Sequence, residues 1–177
     1  MVLAVIPYGF SLFIYRRFHH HTGKHFYVLF VMLWLLFFPN APYIITDMIH
    51  FDPGHNIPVW TDILIIFAFA WTGLILGFAS LRLVHIVVEN NFGKLSGWLF
   101  AISVIILGSF GVYLGRFLRL NSWDLFNRPL FVFSVLKDNM LTPYRQMDSY
   151  VMTFFFSAFL LLAYLSIVYF TVPGKRD

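Results

Sequence analysis

The chain contains no cysteine among its 177 residues. Disulfides, thiolate metal sites and cysteine nucleophiles are therefore excluded. Charge is nearly as scarce: 11% of residues are Asp, Glu, Lys or Arg, against about a quarter in a soluble domain. So few charges cannot coat the surface of a water-soluble protein of this size. There is no phosphate-cradling Gly-rich loop and no haem-attachment motif, and no internal repeat is visible. The opening residues carry no basic n-region and no clear small-residue cleavage site, so no cleavable signal peptide is expected.

What is abundant is apolar surface. Sixty per cent of residues are hydrophobic and 23 are Phe, and they come in long blocks rather than at one-face spacing. This predicts one integral membrane domain over residues 1–177, with no soluble domain attached. The net charge of +4 comes from basic residues at the ends of apolar runs. That placement suits membrane topology and contact with anionic membrane lipids, not nucleic acid.

Five apolar segments are expected: residues 1–15, 26–49, 62–88, 98–114 and 150–172. The fold class is therefore all-α, an integral membrane helical bundle of about five transmembrane segments. The second segment contains Trp34-Leu-Leu-Phe-Phe-Pro-Asn-Ala-Pro-Tyr-Ile-Ile-Thr-Asp-Met-Ile-His50 and is broken between Pro39 and Pro42. Lipid penalises unpaired backbone groups, so a break is tolerated only inside protein or beside a water-filled cavity. The break is thus the natural place to look for a site. Residues 115–149 form the longest polar stretch, and within them residues 125–136 predict a short helix on or dipping into the interface.

Arg16, Arg17 and Lys24 fall in one connector, Lys94 in another, and Lys175 with Arg176 at the end. Alternation puts all three on one side, which the positive-inside rule makes cytoplasmic, the C-terminus included. Gly73/Gly77 and Gly111/Gly115 are small-residue pairs at i,i+4 spacing. They predict close packing of the third segment on the fourth, with homo-oligomerisation or a partner membrane protein as the second option.

The same alternation brings Asn40, Asp47, His50, Arg116, Arg119, Asn121 and Asp124 toward one external pocket. Three readings fit this cluster. Asp47, His50 and Asp124 could bind a divalent metal, with His55 as a further ligand, since carboxylate and imidazole suit Zn²⁺, Mn²⁺ or Fe. Arg116 and Arg119 could hold a phosphate or carboxylate, with Asn40 and Asn121 as further ligand-binding groups and Asp47, His50 and Asp124 as the catalytic set. Alternatively Arg116 pairs with Asp47 or Asp124, Asn40 satisfies the broken backbone, and the network only holds the fold. Other features have plainer readings. His19, His20 and His21 suit a solvated turn, Arg82, His85 and Glu89 a structural ion network, and Trp34, Trp60, Trp71, Trp98 and Trp123 anchoring or packing. Ser122 has no nearby His in sequence, which gives a Ser nucleophile little support.

Phe38-Pro-Asn-Ala-Pro-Tyr-Ile-Ile-Thr-Asp-Met-Ile-His50 and Gly115-Arg-Phe-Leu-Arg-Leu-Asn-Ser-Trp-Asp124 resemble a bacterial family of multi-pass membrane proteins, domain of unknown function 1361. The resemblance covers most of the chain. It implies a bacterial plasma-membrane location and a helical bundle, with Asn40, Pro42, Asp47, His50, Arg116, Asn121, Trp123 and Asp124 on the pattern. It carries no activity. The leading functional expectation is an outward-facing pocket that binds or processes a lipid-linked or other anionic substrate. In an enzyme Asp47 or His50 would be the base, Asp124 a metal or orienting partner, and Arg116 the anion clamp. The alternatives are a transporter or channel component, since broken helices also mark solute sites, and a non-catalytic membrane subunit.

Overall fold

The computed structural model describes residues 2–18, 24–50, 58–141 and 147–171. They form α1 (Val2–Phe18), α2 (Lys24–Phe37), α3 (Asn40–Tyr43), a 3₁₀ helix (Ile44–His50), α4 (Val59–Phe92), α5 (Lys94–Phe117), α6 (Asp124–Asn127), α7 (Pro129–Leu141) and α8 (Met147–Thr171). No strand occurs among the described residues. Val28–Asp47, Val59–Phe92, Lys94–Phe117 and Met147–Phe170 are long and apolar enough to cross a membrane. Helix α1 has 17 residues, about 26 Å of length, and packs on α2 and α4. The fold is an all-α membrane bundle with a broken second segment.

The break follows from backbone chemistry. Pro39 and Pro42 each lack an N–H, so two donors are missing from one turn. The chain answers by tightening: Ala41 N donates to Phe38 O at 3.1 Å, an i→i−3 bond. Seven residues of 3₁₀ helix then follow, longer than the three or four residues such helices usually reach. Two carbonyls at the end of α2 take side-chain donors instead. Asn40 Nδ2 donates to Phe37 O at 3.0 Å, and Ser122 Oγ donates to Leu36 O at 3.1 Å.

Glycines let the irregular segment sit deep in the bundle. A β-carbon on Gly73 would stand 2.7 Å from Ala41 O, and one on Gly77 3.0 Å from Ala41 Cβ. On α5 a β-carbon would meet Phe38 at 2.8 Å from Gly108, Pro39 at 2.7 Å from Gly111 and Tyr43 at 3.1 Å from Gly115. The expectation that the glycine pairs join the third and fourth segments to each other is therefore corrected. Helices α4 and α5 do pack together, but both glycine faces clasp residues 38–44 between them. Prolines and a bent backbone are wider than a regular helix, and only glycine leaves the room.

These contacts also fix direction. Phe38, Pro39 and Tyr43 meet successively later residues of α5, so α2 and α5 run parallel, whereas Ile44 reaches Gly73 and Trp34 reaches Ser80, so α4 is antiparallel. Trp34 is fully buried and its Nε1 donates to Ser80 Oγ at 2.5 Å. Around it lie Ile14, Phe38, Leu74, Phe78, Leu81, Val104, Ile105 and Tyr164. Large apolar side chains point outward along α8, among them Phe154, Phe155, Leu162 and Phe170, as lipid contact requires.

Gly73→Ala should destabilise by about 1–3 kcal/mol, because the added methyl meets a backbone carbonyl that cannot rotate away. Gly9→Ala should do the opposite, by about 0.4–1 kcal/mol, since nothing lies within 4 Å of the added carbon and the helical backbone accepts it. Thermal unfolding in mild detergent reads both signs.

Candidate functional site

The break, the end of α5 and the segment after it meet at one end of the bundle, the break end. Arg116, in the last turn of α5, reaches Asp47 on the 3₁₀ helix: Nη1 donates to Oδ1 at 3.0 Å. The Arg116 side chain is 8% exposed and the Asp47 side chain 50%. The guanidinium lies 5.8 Å from the centre of the Tyr43 ring, within cation–π range. Arg116 Nη2 is buried with no hydrogen-bond partner, and a buried, unsatisfied donor costs about 1–3 kcal/mol or more when charged.

After α5 the chain makes a left-handed turn. Arg119 has φ 54°, a conformation that costs a residue with a β-carbon about 1–2 kcal/mol. The turn returns Leu120 N to Leu114 O at 3.1 Å. Next, Asp124 Oδ2 accepts from Asn121 N at 2.6 Å, while Asp124 N donates to Asn121 O at 2.9 Å. The side-chain bond and the backbone bond together close a tight turn over residues 121–124. It holds Ser122 against the break, where Ser122 Oγ also accepts from Asn40 Nδ2 at 3.1 Å.

Beside these groups lies a pocket of about 830 Å³, within the range that holds small ligands. Leu29, Met32, Leu33 and Leu36 of α2 line it, with Leu107 and Leu114 of α5, Leu125 and Phe126 of α6, and Val132 and Leu136 of α7. Leu3 and Ala4 of α1 contribute as well. At its polar end stand Asn40, Tyr43, Asp47, Asn121 and Ser122. Arg116 backs that end through its contacts with Asp47 and Tyr43.

Of the expected residues, Asp47 and Arg116 meet, Asn121 and Asp124 meet, and Asn40 meets Ser122. Arg119 is exposed on the left-handed turn. His50 ends the 3₁₀ helix, but its side chain is outside the described residues, as are His19, His20, His21 and His55. Among the described residues no three metal-ligating side chains gather. Tyr43 and Ser122 were not expected at the site. Ser122 carries no signal of its own, because its partners are backbone and amide groups 82 and 86 residues away.

A second polar cluster sits at the opposite end. His85 Nδ1 and Tyr164 OH lie 2.8 Å apart, and the imidazole is fully buried against Trp98, with ring centres 5.0 Å apart. Glu89 Oε2 is 3.9 Å from both His85 Nε2 and Arg82 Nη1. Gly97 makes space for the ring, as a β-carbon there would stand 2.9 Å from His85 Cδ2.

A family model, "Protein of unknown function (DUF1361)", matches residues 1–163. The chain belongs to the DUF1361 family. No curated protein and no solved structure matches it. Within this DUF1361 chain both motif segments named from sequence converge on the break end.

Asn40→Ala and Ser122→Ala should each cost about 1–3 kcal/mol by stranding a carbonyl at bilayer depth. Because the two side chains bond each other, the double variant should depart from additivity by about 0.5–3 kcal/mol. A double-mutant cycle of unfolding free energies in detergent measures this.

Proposed function

We propose that this DUF1361 protein binds an amphipathic anionic molecule, a lipid or lipid-linked substrate, in an outward-facing pocket at the break end. The observation that carries this reading is the asymmetry of the pocket. Apolar residues line most of it, a match for hydrocarbon, and its polar groups Asn40, Tyr43, Asp47, Asn121 and Ser122 all come from the break and the loop after α5. A buried guanidinium with one unused nitrogen stands behind that end, suited to an anionic oxygen. Asp47, half exposed and paired to Arg116, would release part of that arginine to a bound anion. Should the bound substrate be processed, Asp47 is the group placed to act as base.

The layer between the two polar clusters is formed by Phe38, Leu74, Phe78, Val104 and Ile105. Its apolar character favours holding a ligand over conducting one. The basic residues Arg16, Arg17, Lys24 and Lys94 flank the other end of the helices, which supports an outward pocket and a cytoplasmic C-terminus in a bacterial plasma membrane.

Protein purified in mild detergent should carry stoichiometric anionic lipid, read by mass spectrometry of the extract. Leu107→Trp, which fills the apolar trough, should lower retention, and Arg116→Gln, which removes the clamp, should lower it about tenfold, the loss of one charge-assisted hydrogen bond. Wild-type protein without bound lipid would sink the reading. The orientation has its own check, made simple by the absence of native cysteine. Asn127→Cys should react with an impermeant thiol reagent on intact cells and Lys94→Cys should not.

A further inference from the structure

Helix α7 is anchored twice, and both anchors are at the break end. Upstream, Ser122 ties the preceding segment to Leu36 and Asn40. Downstream, Asn139 Oδ1 accepts from Ser149 Oγ at 2.8 Å and Asn139 O accepts from Tyr150 OH at 2.8 Å. Ser149 and Tyr150 belong to the first turn of α8. A helix of 13 residues, about 20 Å long, with both ends held at one end of the bundle lies across the membrane surface and does not cross it.

Its two faces differ in what they touch. Val132 and Leu136, one turn apart, line the pocket. The opposite face carries Leu130, 84% exposed, Phe133, 62% exposed, and Leu141, with the exposed Lys137 on the same stripe, four residues from both Phe133 and Leu141. Water on that stripe would be costly. On α8, to which α7 is tied, Val151 and Phe154 are exposed as well. Arg119 and Arg128 are exposed near its start. A stripe of apolar side chains that carries one lysine, whose long stem can lift its charge to the headgroups, fits the headgroup layer of an anionic bilayer.

We infer that α7 is seated in the headgroup layer of an anionic membrane and serves as the movable side wall of the pocket, so that the ligand is admitted sideways from the bilayer. The seating stands on α7 alone; the side entrance rests on the proposed function. Between the anchors at Ser122 and Asn139, Val132 is the one buried residue of α7 among those whose side chains are described, so little packing has to be lost for that stretch to move.

Single nitroxide labels at Leu130→Cys and Phe133→Cys, in nanodiscs of phosphatidylcholine and phosphatidylglycerol, test the seating. Oxygen should relax both labels more strongly than a water-soluble nickel chelate does. Stronger relaxation by the chelate would overturn the seating. The entrance is tested by Leu130→Glu combined with Phe133→Glu, residues that do not line the pocket. Uptake of fluorescent phosphatidylglycerol from vesicles should slow about tenfold, the effect of two charges near the interface. The amount bound at equilibrium should match the wild type. Uptake at the wild-type rate would overturn the entrance. No uptake by the wild type would overturn it together with the pocket reading, while the label depths would still decide the seating.

Discussion

The missing backbone donors at Pro39 and Pro42 are the constraint on which the rest of the structure depends. In water such a break would be hydrated. At bilayer depth the carbonyls around such a break need protein donors: Ala41 N serves Phe38 O, and the side chains of Asn40 and Ser122 serve Phe37 O and Leu36 O. Those donors fix where the loop after α5 must lie. The widened backbone needs space, which Gly73, Gly77, Gly108, Gly111 and Gly115 provide. The pocket, the Arg116–Asp47 pair and the position of the loop after α5 are all downstream of that one interruption.

Much of this was legible from the chain. The apolar blocks gave the bundle, and Pro39 and Pro42 gave the break, because both signals are local and large. Asp47 and Arg116 could be paired because alternation of segments puts them at the same end. The role of Ser122 was hidden, since a serine 82 residues from Asn40 looks like any loop serine. The glycine pairs misled for a physical reason. Small residues announce a close approach without naming the partner, and here the partner is the broken segment. Asp124 is a candidate ligand by residue type, and its Oδ2 also closes a local turn, a use that spacing alone does not reveal.

The two polar clusters solve the same problem differently. At the break end the groups are partly exposed, border a pocket and leave an arginine nitrogen unpaired. At the other end His85 is sealed by Trp98 and Tyr164, with Arg82 and Glu89 near it. The first arrangement leaves room for a ligand, and the second is packed by aromatic rings. Each end holds one buried nitrogen without a hydrogen-bond partner, Arg116 Nη2 and His85 Nε2, and it is the pocket beside the first that favours the break end for the proposed site.

The bond from Ser122 Oγ to Leu36 O joins residues 86 positions apart, and this imposes an order on biogenesis. Asn40 can cover the Phe37 carbonyl as soon as that turn is made. The Leu36 carbonyl waits until α4 and α5 have both been synthesised and inserted. During that interval the broken segment is a poor membrane span, carrying a polar gap that lipid would reject. It must shelter at the translocon or the interface until the later helices close around it, so the α4–α5 hairpin acts within its own chain as the assembly factor for α2.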